Sequence, residues 1–231
     1  MHKGIWLAAG YLFAANSWAQ ATLTPLEIRW LKAGSPVLDY AKAMRLPVDI
    51  IVQPETKPTD VPLAMGFDHG RCKLVLSMRG NPHAETILDP IVPAQRDMII
   101  ETMVAHELGH CWRYMHGVWH QLPAGMIEAT APADAVRQPL ADELQLMRET
   151  RREEGFADLV GLAWTLNRHP GQYELVYRWL AQLRQVRPTA GSYHDTAVWI
   201  QLAKNPAALG QADAPFEQVL PLWKQGLLEQ E

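Results

Sequence analysis

The stretch Val104-Ala105-His106-Glu107-Leu108-Gly109-His110 constrains this chain more than any other. It lies in a run from Pro93 to about Tyr114 in which Met98, Ile99, Met103, Val104 and Leu108 recur at helical spacing. A helix is therefore predicted there, with Pro93 where a helix can begin. Four residues of α-helix turn through about 400°, so His106 and His110 share a face and both imidazoles can reach one zinc ion at about 2.0–2.1 Å. Glu107 points about 100° aside, where its carboxylate can take a proton from a water activated by the ion and pass it to a leaving amine. Gly109 leaves room for a strand or a ligand to approach the helix.

A catalytic zinc needs a third protein ligand and an open position for water. Two residues compete for that role. Glu154 lies in Arg151-Arg152-Glu153-Glu154-Gly155-Phe156-Ala157-Asp158, where a helix puts Glu154 and Asp158 on one face. Glu154 can then bind the ion while Asp158 takes the outer N–H of a ligand histidine and fixes its ring. The competing reading of this charge run is a solvated helix surface. His116 is the second candidate, because His106 to His116 has the spacing His-Glu-x-x-His-x-x-Gly-x-x-His. Arg113 stands where that pattern has the glycine that turns the chain. If the helix runs through Arg113, His116 sits about 240° around the axis from His110, off the metal face, so Glu154 is favoured.

Around these helices the chain reads as α+β. Val48–Val52 and Cys72–Met78 are short apolar or β-branched runs bounded by Pro or Gly, and each predicts a strand. Ser35-Pro36 is read as the cap and first turn of an earlier helix reaching Leu46. Gly80 to Pro93 is a loop, and residues 117–139, with five Gly or Pro, form a second irregular stretch. Four helical segments follow: 140–167, 172–186, 192–204 and 214–228, with Pro221 bending the last. The expected build is a small N-terminal sheet packed on the motif helix, then a mostly helical C-terminal half.

Composition removes several function classes. Lys and Arg number 21 against 25 Asp and Glu, and no cationic run is present, so no nucleic-acid partner is expected. Two cysteines cannot staple a mini-protein, and 48% hydrophobic residues suffice for a core without staples. His2-Lys3, the apolar stretch Ile5–Ala15 and small residues at Ser17-Trp18-Ala19 or Ala19-Gln20-Ala21 read as a signal peptide, residues 1–19 or 1–21. One domain, 22–231, follows it, with no membrane span expected in the mature chain. The implied location is periplasmic or secreted. In an oxidising compartment Cys72 and Cys111 are expected to pair, tying a strand to the motif helix, with two buried free thiols as the alternative.

His106-Glu107-x-x-His110 followed by Glu154-x-x-Ala157-Asp158 resembles the Glu-zincin metallopeptidases, in particular the group pairing His-Glu-x-x-His with Glu-x-x-Ala-Asp on a later helix. The resemblance covers a small part of the chain. It implies a zincin-like fold and one Zn²⁺ per chain held by His106, His110 and Glu154. Glu107 would then be the catalytic base and Asp158 the partner of a ligand histidine. It also implies a donor to the substrate's carbonyl oxygen beyond the third ligand, His194 first and Tyr193 second. The competing reading makes Ser192 a helix cap and His194 a surface residue. In such peptidases a strand before the motif helix borders the cleft, which would give Leu76, Ser77 and Met78 that role, although a plain internal strand reads equally well. The chain departs from that group in lacking transmembrane helices. The implied function is hydrolysis of a peptide or protein substrate. The alternative is a non-catalytic zinc-binding assembly factor, and oligomeric state is left open.

Overall fold

The computed structural model describes residues 22–57, 60–126, 138–186 and 192–229. The expected signal segment lies outside them. Helix α1 (Pro25–Ala43) starts at a capping box: the Thr24 hydroxyl accepts from the Glu27 amide at 3.2 Å, and the Glu27 carboxylate accepts from the Thr24 amide at 2.7 Å. The helix therefore begins well before Ser35-Pro36, and Pro36 lies inside it. Pro36 has no N–H for the Lys32 carbonyl, which instead accepts the Ser35 hydroxyl at 2.9 Å.

Three strands follow, β1 (Val48–Val52), β2 (Leu63–Asp68) and β3 (Arg71–Leu76), in the order β1-β3-β2. β1 runs parallel to β3, with Ile50 opposite Leu74, and β2 runs antiparallel to it, with Met65 opposite Leu74. β2 was absent from the sequence reading. It forms through a two-residue turn, His69-Gly70, whose φ angles of 49° and 71° match the twist of a hairpin. Its consequence is a correction to the groove: β3 is hydrogen-bonded on both sides, and Leu76, Ser77 and Met78 are buried. β2, not the stretch ending in Met78, is the edge strand facing the cleft.

The helices are α2 (His83–Thr86), α3 (Arg96–Met115), α4 (Gln138–Arg168), α5 (Tyr173–Val186), α6 (Ala197–Leu202), α7 (Pro215–Gln218) and α8 (Leu220–Glu229). A 3₁₀ turn at Pro93–Gln95 leads into α3. Pro221 sits at the start of α8 instead of bending one long helix, because a proline is tolerated in a first turn. Trp30 and Val37 of α1, Leu74 of β3, Ile99 and Leu108 of α3, and Phe156 of α4 are all buried in one core. A disulfide joins Cys72 of β3 to Cys111 of α3. Closing a loop of that length stabilises by about 4 kcal/mol in the chain-entropy account. The architecture is α+β, as expected, and among the described residues no helix is long and apolar enough to cross a membrane.

The site depends on how closely α3 and α4 cross. A Cβ on Gly109 would lie 3.1 Å from the Ala157 Cα and 3.3 Å from the Val160 Cβ. Gly109 thus admits a helix, not the strand or ligand expected of it. Gly161 of α4 does the reverse against Thr102, whose hydroxyl also meets that of Thr165 at 2.9 Å.

Candidate metal centre

The crossing puts the two sequence motifs face to face. The His106 and His110 Nε2 atoms are 3.1 Å apart, and Glu154 oxygens lie 3.5 Å from the first and 3.4 Å from the second. The first contact is to Oε2 and the second to Oε1; donor atoms around a zinc with bonds of about 2.0–2.1 Å stand about 3.3–3.4 Å apart, so each of these separations is of the size such an ion spans. Two imidazoles and a carboxylate are also the chemistry that borderline cations take. These three residues lie close enough to hold a metal ion. Burial pushes the Glu154 carboxyl up, but His110, His106 and Arg184 outweigh it and hold the group down at about 2. Burial pulls His110 down, and the Glu154 carboxylate more than offsets this, so its imidazole is raised.

Asp158 stands one turn further along α4 with no exposed side-chain surface. It accepts from His106 Nδ1 at 2.9 Å, which leaves the Nε2 lone pair of His106 facing Glu154. Its other contacts were not foreseen: the Thr196 hydroxyl donates at 2.6 Å, and the Arg184 guanidinium donates through Nη2 at 2.6 Å and Nε at 2.8 Å. Arg184 also reaches Glu154 at 3.2 Å. Burial opposes ionisation of Asp158, and the Arg184 charge and the His106 bond overcome it, holding the carboxyl well below its usual range. One arginine thereby holds both acids of the second motif in place.

Arg184 carried a signal that the sequence reading missed. Tyr173, Val176, Tyr177 and Leu180 form the buried stripe of α5, and a residue eleven positions after Tyr173 returns to nearly the same azimuth. A cation on an apolar stripe requires a buried counter-charge. Thr196 offered no such signal. It occupies the N-cap position of α6 yet turns its hydroxyl to Asp158.

Above the donor atoms opens a cleft of about 610 Å³, lined on one side by β2 residues from Leu63 to Met65 and on the other by Arg184, Tyr193 and His194. Glu107 faces it from α3. Burial raises the Glu107 carboxyl, His106 and His110 oppose that shift, and the Met65 backbone of β2 hydrogen-bonds the carboxylate. His194 Nε2 lies 3.7 Å from Glu154, and its side chain is 56% exposed. Residues 192–196 form a turn before α6, so Ser192 is not the cap of that helix. Trp179 also lines the cleft and is only half-buried, whereas Trp164 and Trp199 are core.

His116 does not join the site. Helix α3 continues to Met115, and His116 is exposed, its Nδ1 donating to the Trp112 carbonyl at 2.8 Å. Arg113, where a turning glycine was absent, is buried instead and bonds Glu153 at 2.7 and 2.9 Å. Its guanidinium lies 4.3 Å from the Trp223 ring centre. Cys111 is committed to the disulfide and holds α3 against β3. Comparison of the chain with protein-family models, curated proteins and solved structures finds no match.

Proposed function

We propose that this chain is an exported zinc metallopeptidase of the Glu-zincin kind, with a zincin-like fold, that hydrolyses peptide bonds in a peptide or protein substrate. The reading rests on one observation above others: the His106, His110 and Glu154 donor atoms converge within 4.8 Å at the base of the cleft, with Glu107 beside them. When bound there, zinc supplies Lewis-acid chemistry, activating a water near neutral pH and polarising a carbonyl oxygen.

The chain's own groups do the remainder. Glu107 takes the proton released as water attacks and hands it to the leaving amine. Burial, which raises its carboxyl, moves its proton affinity toward a working pH. Asp158 keeps His106 in the tautomer that leaves Nε2 free to ligate, and Arg184 keeps Asp158 in place. Among the described residues β2 pairs only with β3, so its outer edge can take an extended substrate as an added strand. His194 and Tyr193, on the cleft wall, are the candidate donors to the substrate's carbonyl oxygen. The disulfide, together with the signal-like segment, favours a periplasmic or secreted location.

The test is zinc content and casein hydrolysis of the purified mature protein beside its Glu107→Gln variant. One zinc in both, with turnover lowered about 10²- to 10⁴-fold in the variant, is the expected result. Turnover that survives Glu107→Gln removes the mechanism. Zinc without turnover in the unaltered protein replaces it with the non-catalytic binding factor.

A further inference from the structure

We infer that Trp119 is a positioning residue for His110, holding that imidazole by ring contact where His106 is held by a hydrogen bond. The inference rests on the reading of His106, His110 and Glu154 as zinc ligands. The two histidines are not equivalent. His106 Nδ1 is fixed by Asp158 at 2.9 Å, whereas His110 Nδ1 is buried and has no hydrogen-bond partner among the described residues. Rotation about the terminal bond of a histidine is soft. Something else must keep His110 Nε2 turned toward Glu154.

Among the described residues, Trp119 is the aromatic neighbour of His110 outside the ligand set. Its ring meets that of His110 at 5.7 Å and 75°, and meets Phe67 of β2 at 5.0 Å and 63°. Phe67 in turn stacks on Tyr114 of α3 at 4.0 Å. Trp119 therefore wedges between the metal helix and the edge strand at one end of the cleft. Its backbone is held on both sides by a buried ion pair. Arg113 donates to the Val118 carbonyl at 2.7 Å and the Gln121 carbonyl at 3.0 Å, and the His120 amide donates to Glu153 at 2.8 Å. The arginine that interrupts the His-Glu-x-x-His-x-x-Gly pattern thus acquires a purpose at the metal site. It fixes the loop that presents the indole to His110.

Removing the ring leaves His110 free to turn, which weakens the ligand set without deleting a ligand. Loss of an outer contact of this kind costs about tenfold in metal affinity. The experiment measures zinc affinity by chelator competition and the visible spectrum of the cobalt-substituted protein for Trp119→Ala, Trp119→Leu and Trp119→Phe. Leucine fills volume without an aromatic edge, while phenylalanine keeps the edge. The expected result is affinity about tenfold lower and an altered cobalt spectrum in the Ala and Leu variants, with Phe within about twofold of the unaltered protein and spectrally unchanged. If Ala does not fold, Leu against Phe carries the comparison. Affinities within about twofold throughout overturn the inference, as does a Phe variant no better than Leu. An unaltered protein that takes up no zinc overturns both this inference and the proposed function, so the two failures are distinguishable.

Discussion

Glu153 and Glu154 are adjacent on α4, and they meet opposite fates. Glu153 is saturated: Arg113 donates to it at 2.7 and 2.9 Å, the His120 amide at 2.8 Å, and its side chain is 1% exposed. Glu154 points about 100° away, toward the cleft, where its nearest nitrogen partners stand further off, at 3.2 Å for Arg184, 3.4 Å for His110 and 3.5 Å for His106. A buried carboxylate whose donors come from the protein contributes to the fold. One left with loose partners and oxygens facing a cleft has lone pairs to offer an external cation. What separates the structural acid from the candidate ligand is therefore the completeness of its hydrogen bonding, not its burial.

Breaking the two acids separately gives the largest contrast. Glu154→Ala is expected to abolish zinc binding and lower turnover by more than about 10³-fold while the protein remains folded, checked by metal analysis and circular dichroism. Glu153→Ala is expected to do the reverse. It leaves Arg113 buried without its partner and costs about 3–5 kcal/mol of stability in urea unfolding, with the folded fraction still binding one zinc.

A pH titration sharpens the same comparison. In the metal-free protein the Glu154 carboxyl is depressed to about 2 from 4.5 and Asp158 is depressed in the same sense. A folded-state pKa below the unfolded one gives stability that is complete above the unfolded value and is lost as pH falls through the folded one. Tm in the presence of a chelator should therefore decline from about pH 4.5 toward pH 2, and the decline should be shallower in Asp158→Asn. At neutral pH that variant is expected to bind zinc about 10- to 100-fold more weakly, measured by chelator competition, while still reaching one zinc per chain at saturation. The smallest effect is reserved for His116→Ala. Being exposed and outside the donor set, it should leave zinc content unchanged and stability within about 0.5 kcal/mol. Zinc lost there and kept in Glu154→Ala would reverse the assignment of the third ligand.

Much of the candidate site was legible because its parts lie within single helices. His106 with His110, and Glu154 with Asp158, are each four residues apart, and helical geometry alone puts each pair on one face. The Cys72–Cys111 bridge was expected and is present. Legibility failed wherever partners came from different elements. β2 escaped notice because Ala64 and Gly66 dilute its β-forming signal in Leu63–Asp68. Arg113 read only as a missing glycine, since its partners Glu153, Val118 and Gln121 are assembled by the fold. Pro36 read as a helix start because proline favours a first turn, yet the Thr24 capping box lay upstream and Ser35 repaired the interior position.

By itself, then, the sequence determined which side chains share a helix face and what chemistry each face can offer, because backbone periodicity dictates that without reference to the rest of the chain. Only the tertiary structure decided that the two faces meet, that β2 and not β3 borders the cleft, and that Glu154 is left open while Glu153 is closed. Those outcomes depend on the close approach of Gly109 to Ala157 and on the pairing of Arg113 and Arg184 with buried acids distant in sequence. Such contacts are selected by packing and charge compensation over the whole core, which no local pattern encodes.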